Sequence, residues 1–320
     1  MADKRRINLN WLHAYEEELK LAFDDAEKRL TVLPASLREP AVEFLHKFHV
    51  LREKSSKNYI CYLLPFWLKE PADIDLADCR RIAAANILGM LYYQLVDAAM
   101  DEPDSAKTGR LPMAQLIHLE FIQMYQRYFP GNSPFWAYHQ KYVAEWAEAV
   151  SKEAVSDYFY DDPVKMAHKA APVKLSVAGA MLLAKRGERI PQIEQAVDTV
   201  LITLQLLDDW DDWEKDLKEN SYNALVSVIQ TELDIPKERR PTADEVRRGI
   251  TVFGALSRLA ELGNRNHDSL LNIQEFVPDL VAFHATLRTN LNDGAAEMER
   301  ERNALLQAGG LGYWLTKHMS

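Results

Sequence analysis

Two stretches of this chain are apolar all the way round a helix, and they decide most of what it can fold into. Residues 82–96 read Ile82-Ala83-Ala84-Ala85-Asn86-Ile87-Leu88-Gly89-Met90-Leu91-Tyr92-Tyr93-Gln94-Leu95-Val96. Residues 196–207 read Ala196-Val197-Asp198-Thr199-Val200-Leu201-Ile202-Thr203-Leu204-Gln205-Leu206-Leu207. A helix with no polar face has to be surrounded by other helices. The rest of the chain supplies them. Trp11, Tyr15, Leu19 and Phe23 recur every four residues against Glu and Lys, which predicts a helix over 10–30. The same period predicts helices over 41–52, 76–101, 112–129, 134–158, 190–218, 243–262 and 276–308. A further small-residue helix over 163–186 is expected to kink at Pro172. Residues 220–241 read as the most loop-like segment. With only 12 Gly and 14 Pro in 320 residues, and no convincing period-2 alternation, strand-rich folds are excluded. The expected fold class is all-α: a single-domain antiparallel helical bundle over residues 1–320.

The acids outnumber the bases, 48 against 38, for a net charge of −10. A polyanion is therefore a poor partner: no nucleic acid or anionic membrane is expected to bind without intervening cations. Cys61 and Cys79 are the two cysteines, with no CxxC and no Cys/His cluster, so a zinc site and a disulfide framework are both poor readings. The basic start Asp3-Lys4-Arg5-Arg6 is followed by an amphipathic stretch and no apolar leader. The apolar runs at 60–68 and 200–207 are too short to span a bilayer, so no integral membrane span is expected and the expected location is cytoplasmic.

Both apolar helices end in aspartates. The first carries Asp97-Ala98-Ala99-Met100-Asp101-Glu102, and Asp97 and Asp101, four apart, share a helix face. The second carries Asp208-Asp209-Trp210-Asp211-Asp212-Trp213-Glu214-Lys215-Asp216, which places Asp208, Asp212 and Asp216 on one stripe. An acidic helix end is ordinarily a solvated, salt-bridged surface. Asp211 and Glu214 fit that description, with Lys215 and Lys218 four residues on. Asp208 and Asp216 have no basic residue three or four positions away. Like charges at that spacing destabilise a helix, and its last turn disfavours anions. A hard divalent cation would compensate, and carboxylates without Cys or His point to Mg²⁺. Two such clusters predict a bundle whose cavity mouth binds several Mg²⁺ ions and, through them, a phosphate-bearing substrate.

This layout resembles the class I isoprenoid synthases, the trans-prenyl diphosphate synthases and class I terpene synthases, over roughly residues 40–225. Leu204-Gln205-Leu206-Leu207-Asp208-Asp209-Trp210-Asp211-Asp212 is similar to the prenyl synthases' FQxxDDxxD, and Asp208, Asp212 and Asp216 partly match the cyclases' metal triad. His168-Lys169-Ala170-Ala171 resembles the KT(G/A) element. Asp97-Ala98-Ala99-Met100-Asp101 resembles a DDxxD that has lost its second aspartate. Lys107-Thr108-Gly109-Arg110-Leu111-Pro112 resembles an RRGxP with one extra residue before the proline, and Ser55-Ser56-Lys57-Asn58 stands at the spacing of the family's GGKRxRP. The resemblance implies a central cavity, three Mg²⁺ held by Asp97, Asp101, Asp208, Asp212 and Asp216, and a substrate diphosphate held by Lys169, Lys107 and Lys57. It also implies a homodimer.

The departures share a direction: metal and allylic-diphosphate elements persist, while most isopentenyl-diphosphate elements are gone. The favoured expectation is a terpene synthase, a lyase that ionises an allylic prenyl diphosphate of the farnesyl or geranylgeranyl class. The catalytic residues are then Asp97, Asp101, Asp208 and Asp212, and the cation cyclises, loses a proton or meets water. A prenyltransferase (chain-elongating, or a squalene/phytoene-synthase-like condenser) and a non-catalytic partner subunit are the alternatives. Tyr92, Tyr93, Phe66 and Trp67 are candidate cavity liners, and Trp210 and Trp213 candidate caps on its mouth.

Overall fold

The computed structural model describes residues 9–53, 55–101, 109–153 and 156–307. Among the described residues there are sixteen α-helices and no strand. The N-terminal periodic stretch is divided into α1 (Asn10–His13) and α2 (Glu16–Leu30), followed by α3 (Ala35–Phe48). The apolar run after it forms α4 (Tyr59–Trp67), with a single turn, α5 (Lys69–Ala72), behind it. Next comes α6 (Leu76–Asp101), begun where Asp75 Oδ1 accepts from the Asp78 N–H at 2.7 Å.

α7 (Arg110–Gln126) and α8 (Phe135–Lys152) are separated by the Pro130-Gly131 break. The segment expected as one kinked helix is three pieces. After a single turn, α9 (Tyr158–Asp161), come α10 (Val164–His168), a 3₁₀ turn at Ala171–Lys174, and α11 (Leu175–Leu183). Pro172 has no N–H to donate and would press on the His168 carbonyl, so α10 stops there and Lys169 becomes its C-terminal cap.

The second apolar stretch lies in α12 (Ile190–Glu219), which opens at Pro191 and ends on Asn220 at φ 61°. The segment read as a loop contains a helix, α13 (Ala224–Glu232). Its start is fixed by Asn223, whose side-chain oxygen accepts from the Val226 N–H at 3.1 Å. That cap is a short polar signal easily lost beside the Asn220 turn. α14 (Ala243–Thr251) carries the capping box of Thr242 and Glu245. The helix expected to continue to 262 breaks instead at Gly254, φ +68°, and resumes as α15 (Ala255–Leu270). α16 (Pro278–Gln307) follows.

α6 is packed by α7, α4 and α2, and α12 by α10, α15, α16 and α13. By length and composition the segment Leu76–Met100 could cross a membrane, but 61% of its apolar window is buried inside the protein. It is the enclosed core helix that all-round apolarity demands. One continuous apolar core joins the bundle. Trp11 sits edge-on to Tyr59, Trp67 and Phe283, tying α1 to α4 and α16. Phe66 and Trp67 belong to this core, each almost fully buried. Trp210 also faces away from the expected mouth: a Cβ on Gly294 of α16 would fall 1.9 Å from its ring, so the indole lies directly on that backbone. Trp213 lies under the Arg247 guanidinium, 5.7 Å from centroid to carbon. Both tryptophans occupy the side of α12 opposite its aspartate stripe, where they anchor the helix to the C-terminal half.

Candidate functional site

Between α6 and α12 lies a cavity of about 780 Å³. One stripe of α6 lines it: Asn86, Gly89, Met90, Tyr93, Gln94 and Asp97, at steps of three and four residues. One stripe of α12 faces it: Leu201, Leu204, Gln205, Asp208, Asp212 and Asp216. The cavity is therefore graded. Amide and apolar groups line the part flanked by the middle of each helix, and carboxylates the part near each C-terminal end. Asp97 and Asp216 lie in or beside the last turn of their helices, where the negative pole of the macrodipole opposes their charge.

The electrostatics match that crowding. Asp208 is open to the cavity but hemmed in by protein. Burial, then Asp209, Asp212 and Asp211, push its carboxyl up to about 7. Burial also raises Asp216 against the pull of Asn223 and Lys169. Lys169 enters the same space from the end of α10. Burial opposes its charge, yet Glu153, Asp209 and Asp216 hold its ammonium above the usual lysine range. Its Nζ donates to Glu153 Oε1 at 2.7 Å.

The adjacent aspartates have different environments. Asp209 is 2% exposed, and both its carboxylate oxygens are taken within the protein. Oδ1 accepts from Gln205 Nε2 and Oδ2 from the Ala224 N–H, each at 2.7 Å. Asn223 Nδ2 donates to the Asp209 carbonyl at 2.7 Å and to Asp216 Oδ2 at 2.9 Å. Asp209 is thus the bracket that seats α13 on α12. Its burial lifts it to about 6, with Lys169, the Ala224 N–H and Gln205 holding it down.

Of the residues singled out from sequence, Asp97, Asp208, Asp212, Asp216 and Lys169 line this one cavity. Asp101 is the C-terminal residue of α6, and Lys107 lies outside the described residues. Lys57 is not among the lining residues. Its ammonium donates to the carbonyls of Val50 and Arg52 at 2.7 and 2.8 Å and to Ser55 Oγ at 2.8 Å. Three oxygens within its own loop satisfy all three donors, and the neighbouring Asn58 reaches the cavity instead. Of the candidate aromatic liners only Tyr93 lines it, while Tyr92 stacks on His118 at 4.4 Å. Glu153, Phe121, Lys215 and Asn86 line it without having been singled out. No spacing rule links Glu153 to Lys169, because the two meet only through the packing of α8 against α10.

Compared with family models, curated proteins and solved structures, the chain matches none.

The donor set suits Mg²⁺ in kind. Asp97, Asp208, Asp212 and Asp216 offer hard carboxylate oxygens, no histidine lines the cavity among the described residues, and Asp208 is crowded by Asp209, Asp212 and Asp211. Among the described residues no three His, Cys, Asp or Glu side chains form a metal-binding group by themselves. Mg²⁺ commonly takes only one or two carboxylates and completes its octahedron with water and phosphate oxygens. Such a cavity has the parts to take an anionic phosphate head through metal at the mouth and an apolar tail beyond it.

Proposed function

We propose that this protein is a Mg²⁺-dependent class I terpene synthase that ionises an allylic prenyl diphosphate. The observation carrying the reading is the graded cavity. Asp97 of α6, Asp208, Asp212 and Asp216 of α12, and Lys169 share its walls with Met90, Leu201, Leu204, Phe121 and Tyr93.

On this reading Asp97 and Asp101 on one side, and Asp208, Asp212 and Asp216 on the other, hold Mg²⁺. Bound there, Mg²⁺ supplies Lewis-acid neutralisation of the leaving diphosphate. Lys169 donates to the diphosphate oxygens, and Glu153 holds its ammonium at the mouth before substrate arrives. The allylic C–O bond breaks with both electrons leaving on the diphosphate, and the carbocation is left between the apolar walls. Tyr93 and Phe121 present aromatic groups to that space, each worth roughly 0.5–2 kcal/mol to a nearby cation. Ring closure or proton loss then follows.

The test is incubation of purified protein with geranyl, farnesyl and geranylgeranyl diphosphates, with and without Mg²⁺ and isopentenyl diphosphate. The expected result is Mg²⁺-dependent release of diphosphate with terpene products, needing no isopentenyl diphosphate. Products that require isopentenyl diphosphate identify a chain-elongating prenyltransferase, and head-to-head dimers a condenser. No consumption of any substrate leaves the non-catalytic subunit reading.

A further inference from the structure

The deep end of the cavity contains a polar group that an all-hydrocarbon substrate tail does not need. Asn86 is 7% exposed and lines the cavity on the α6 stripe, beside Gly89. Its Oδ1 accepts from the Tyr125 hydroxyl at 2.7 Å, and its Nδ2 donates to Ser176 Oγ at 2.5 Å. Burial pushes the Tyr125 phenol up, so it stays a donor. A carboxamide has two N–H donors and two acceptor lone pairs on oxygen. Among the described residues these two bonds use half of that capacity. The residue carrying the remaining N–H and lone pair shares the cavity wall with Phe121, Leu201 and Leu204. Leaving such groups unmet is unfavourable, and a roomy site with two to four polar partners is where a buried water settles. Asn86 supplies two of those contacts, one from its remaining N–H and one to its remaining lone pair, while Ser176 and Tyr125, buried behind it, fix the orientation of the amide.

We propose that Asn86 holds an ordered water at the deep end of the cavity and that this water captures the carbocation, so the product is a terpene alcohol. This rests on the terpene synthase reading. Asn86 lies eleven residues before Asp97 on the same helix, about 16 Å along the axis at 1.5 Å per residue. The water therefore lies on the side of the cavity away from the diphosphate. The diphosphate leaves with the C–O electron pair, and the distal double bond closes onto the allylic carbon, which moves the positive charge to the tail. The water oxygen forms a new C–O bond there, and its surplus proton ends on the released diphosphate. The amide of Asn86 is no base at neutral pH. It is a positioning residue that aims a water lone pair.

Two measurements decide the matter. A high-resolution crystal structure of the substrate-free protein is expected to contain a water hydrogen-bonded to the Asn86 carboxamide inside the cavity, and a dry amide overturns the proposal. Turnover of farnesyl diphosphate with Mg²⁺ in ¹⁸O-water is expected to yield an alcohol labelled on the isoprene unit farthest from the former diphosphate. Hydrocarbons alone, or label at the allylic carbon, overturn it. In Asn86→Leu, and in Ser176→Ala should the first variant fail to fold, the alcohol-to-hydrocarbon ratio is expected to fall about tenfold, the factor one lost buried hydrogen bond represents. An unchanged ratio in a folded variant counts against the proposal. If the protein releases no diphosphate from any substrate, the terpene synthase reading and the alcohol product both fail, and the crystal structure alone then judges the water site.

Discussion

Lys174 offers the sharpest quantitative test of how the site is held. It stands at the end of the 3₁₀ turn that follows Lys169, and its side chain is 1% exposed. The ammonium lies 2.7 Å from Glu145 of α8 and 2.8 Å from Asp198 of α12. Lys174→Met keeps the apolar stem and removes the charge, leaving two carboxylates facing each other in the interior. Removing one partner of a buried ion pair costs about 3–5 kcal/mol. Two neighbours soften the loss. Lys141 lies 3.9 Å from Glu145 but is committed to Glu194 at 2.8 Å, and His168 Nε2 is 4.0 Å from Glu145. His168 is held below the usual histidine range by burial and by Lys174, so it gains a proton more readily once Lys174 is gone.

The pH dependence has a definite sign. Burial already raises Asp198 above the ordinary aspartate range even with Lys174 beside it, and the variant raises it further. A carboxyl whose folded pKa exceeds its unfolded value, about 4, destabilises the folded state as pH rises through that window. The penalty is therefore larger near pH 8 than near pH 5, because lowering the pH favours the protonated forms of Asp198 and His168. Denaturant unfolding of wild type and variant at the two pH values, with unchanged m values, measures it. A loss below about 1 kcal/mol near pH 8, the range of an exposed pair, or an equal loss at both pH values would refute the reasoning.

Four further outcomes are expected. Asp208→Asn lowers diphosphate release by about 10²–10³-fold while leaving stability unchanged or raised, because it relieves repulsion from Asp209, Asp212 and Asp211. Asp209→Ala instead lowers unfolding stability by about 2 kcal/mol, since the Ala224 N–H and Gln205 lose their acceptor; equal stability effects in the two variants would contradict the division of roles. A Cβ at Gly89 would meet Phe121 Cε2 at 2.9 Å, and both residues line the cavity, so Gly89→Ala adds bulk and displaces the ring there and is expected to lower kcat/KM for geranylgeranyl more than for geranyl diphosphate, as competition assays would read. Finally, burial, His267 and Arg288 lower His284 to about 3. Because the unfolded chain titrates near 6.5, this group's stabilisation is complete above that pH and is lost as pH falls toward 3, by up to about 1.4 kcal/mol per pH unit. His284→Leu is expected to flatten the stability slope between pH 6.5 and 4, and an unaltered slope would remove His284 from the account.

The long elements were legible because period and punctuation agreed. The helix expected over 76–101 is found at Leu76–Asp101, and that over 190–218 at Ile190–Glu219. Breaks were less legible. Gly254 interrupts an apolar period that runs on past it, and Asn223 starts a helix inside a polar stretch. Among the candidate site residues, the stripe spacing on α6 and α12 was readable because helical neighbours every three to four residues share a face. The part taken by Glu153 was not, since its contact with Lys169 crosses sixteen residues and two elements. Nor was the difference between Asp208 and Asp209. Adjacent residues of one type look alike in sequence, and only the 100° turn between them sends one toward open cavity and the other onto the start of α13.

By itself, then, the sequence determined that this protein is helical, that two of its helices must be enclosed, and that both end in acidic clusters. Those properties depend on residues within a few turns of one another, where backbone geometry alone sets who is a neighbour. Tertiary packing decided the rest. It seated Trp210 on Gly294 and away from the cavity, and brought Lys169 against Glu153. It also brought Tyr125 and Ser176 to Asn86. Each of these turns on contacts between distant segments, in which burial and shape select one partner from many that local sequence leaves equivalent.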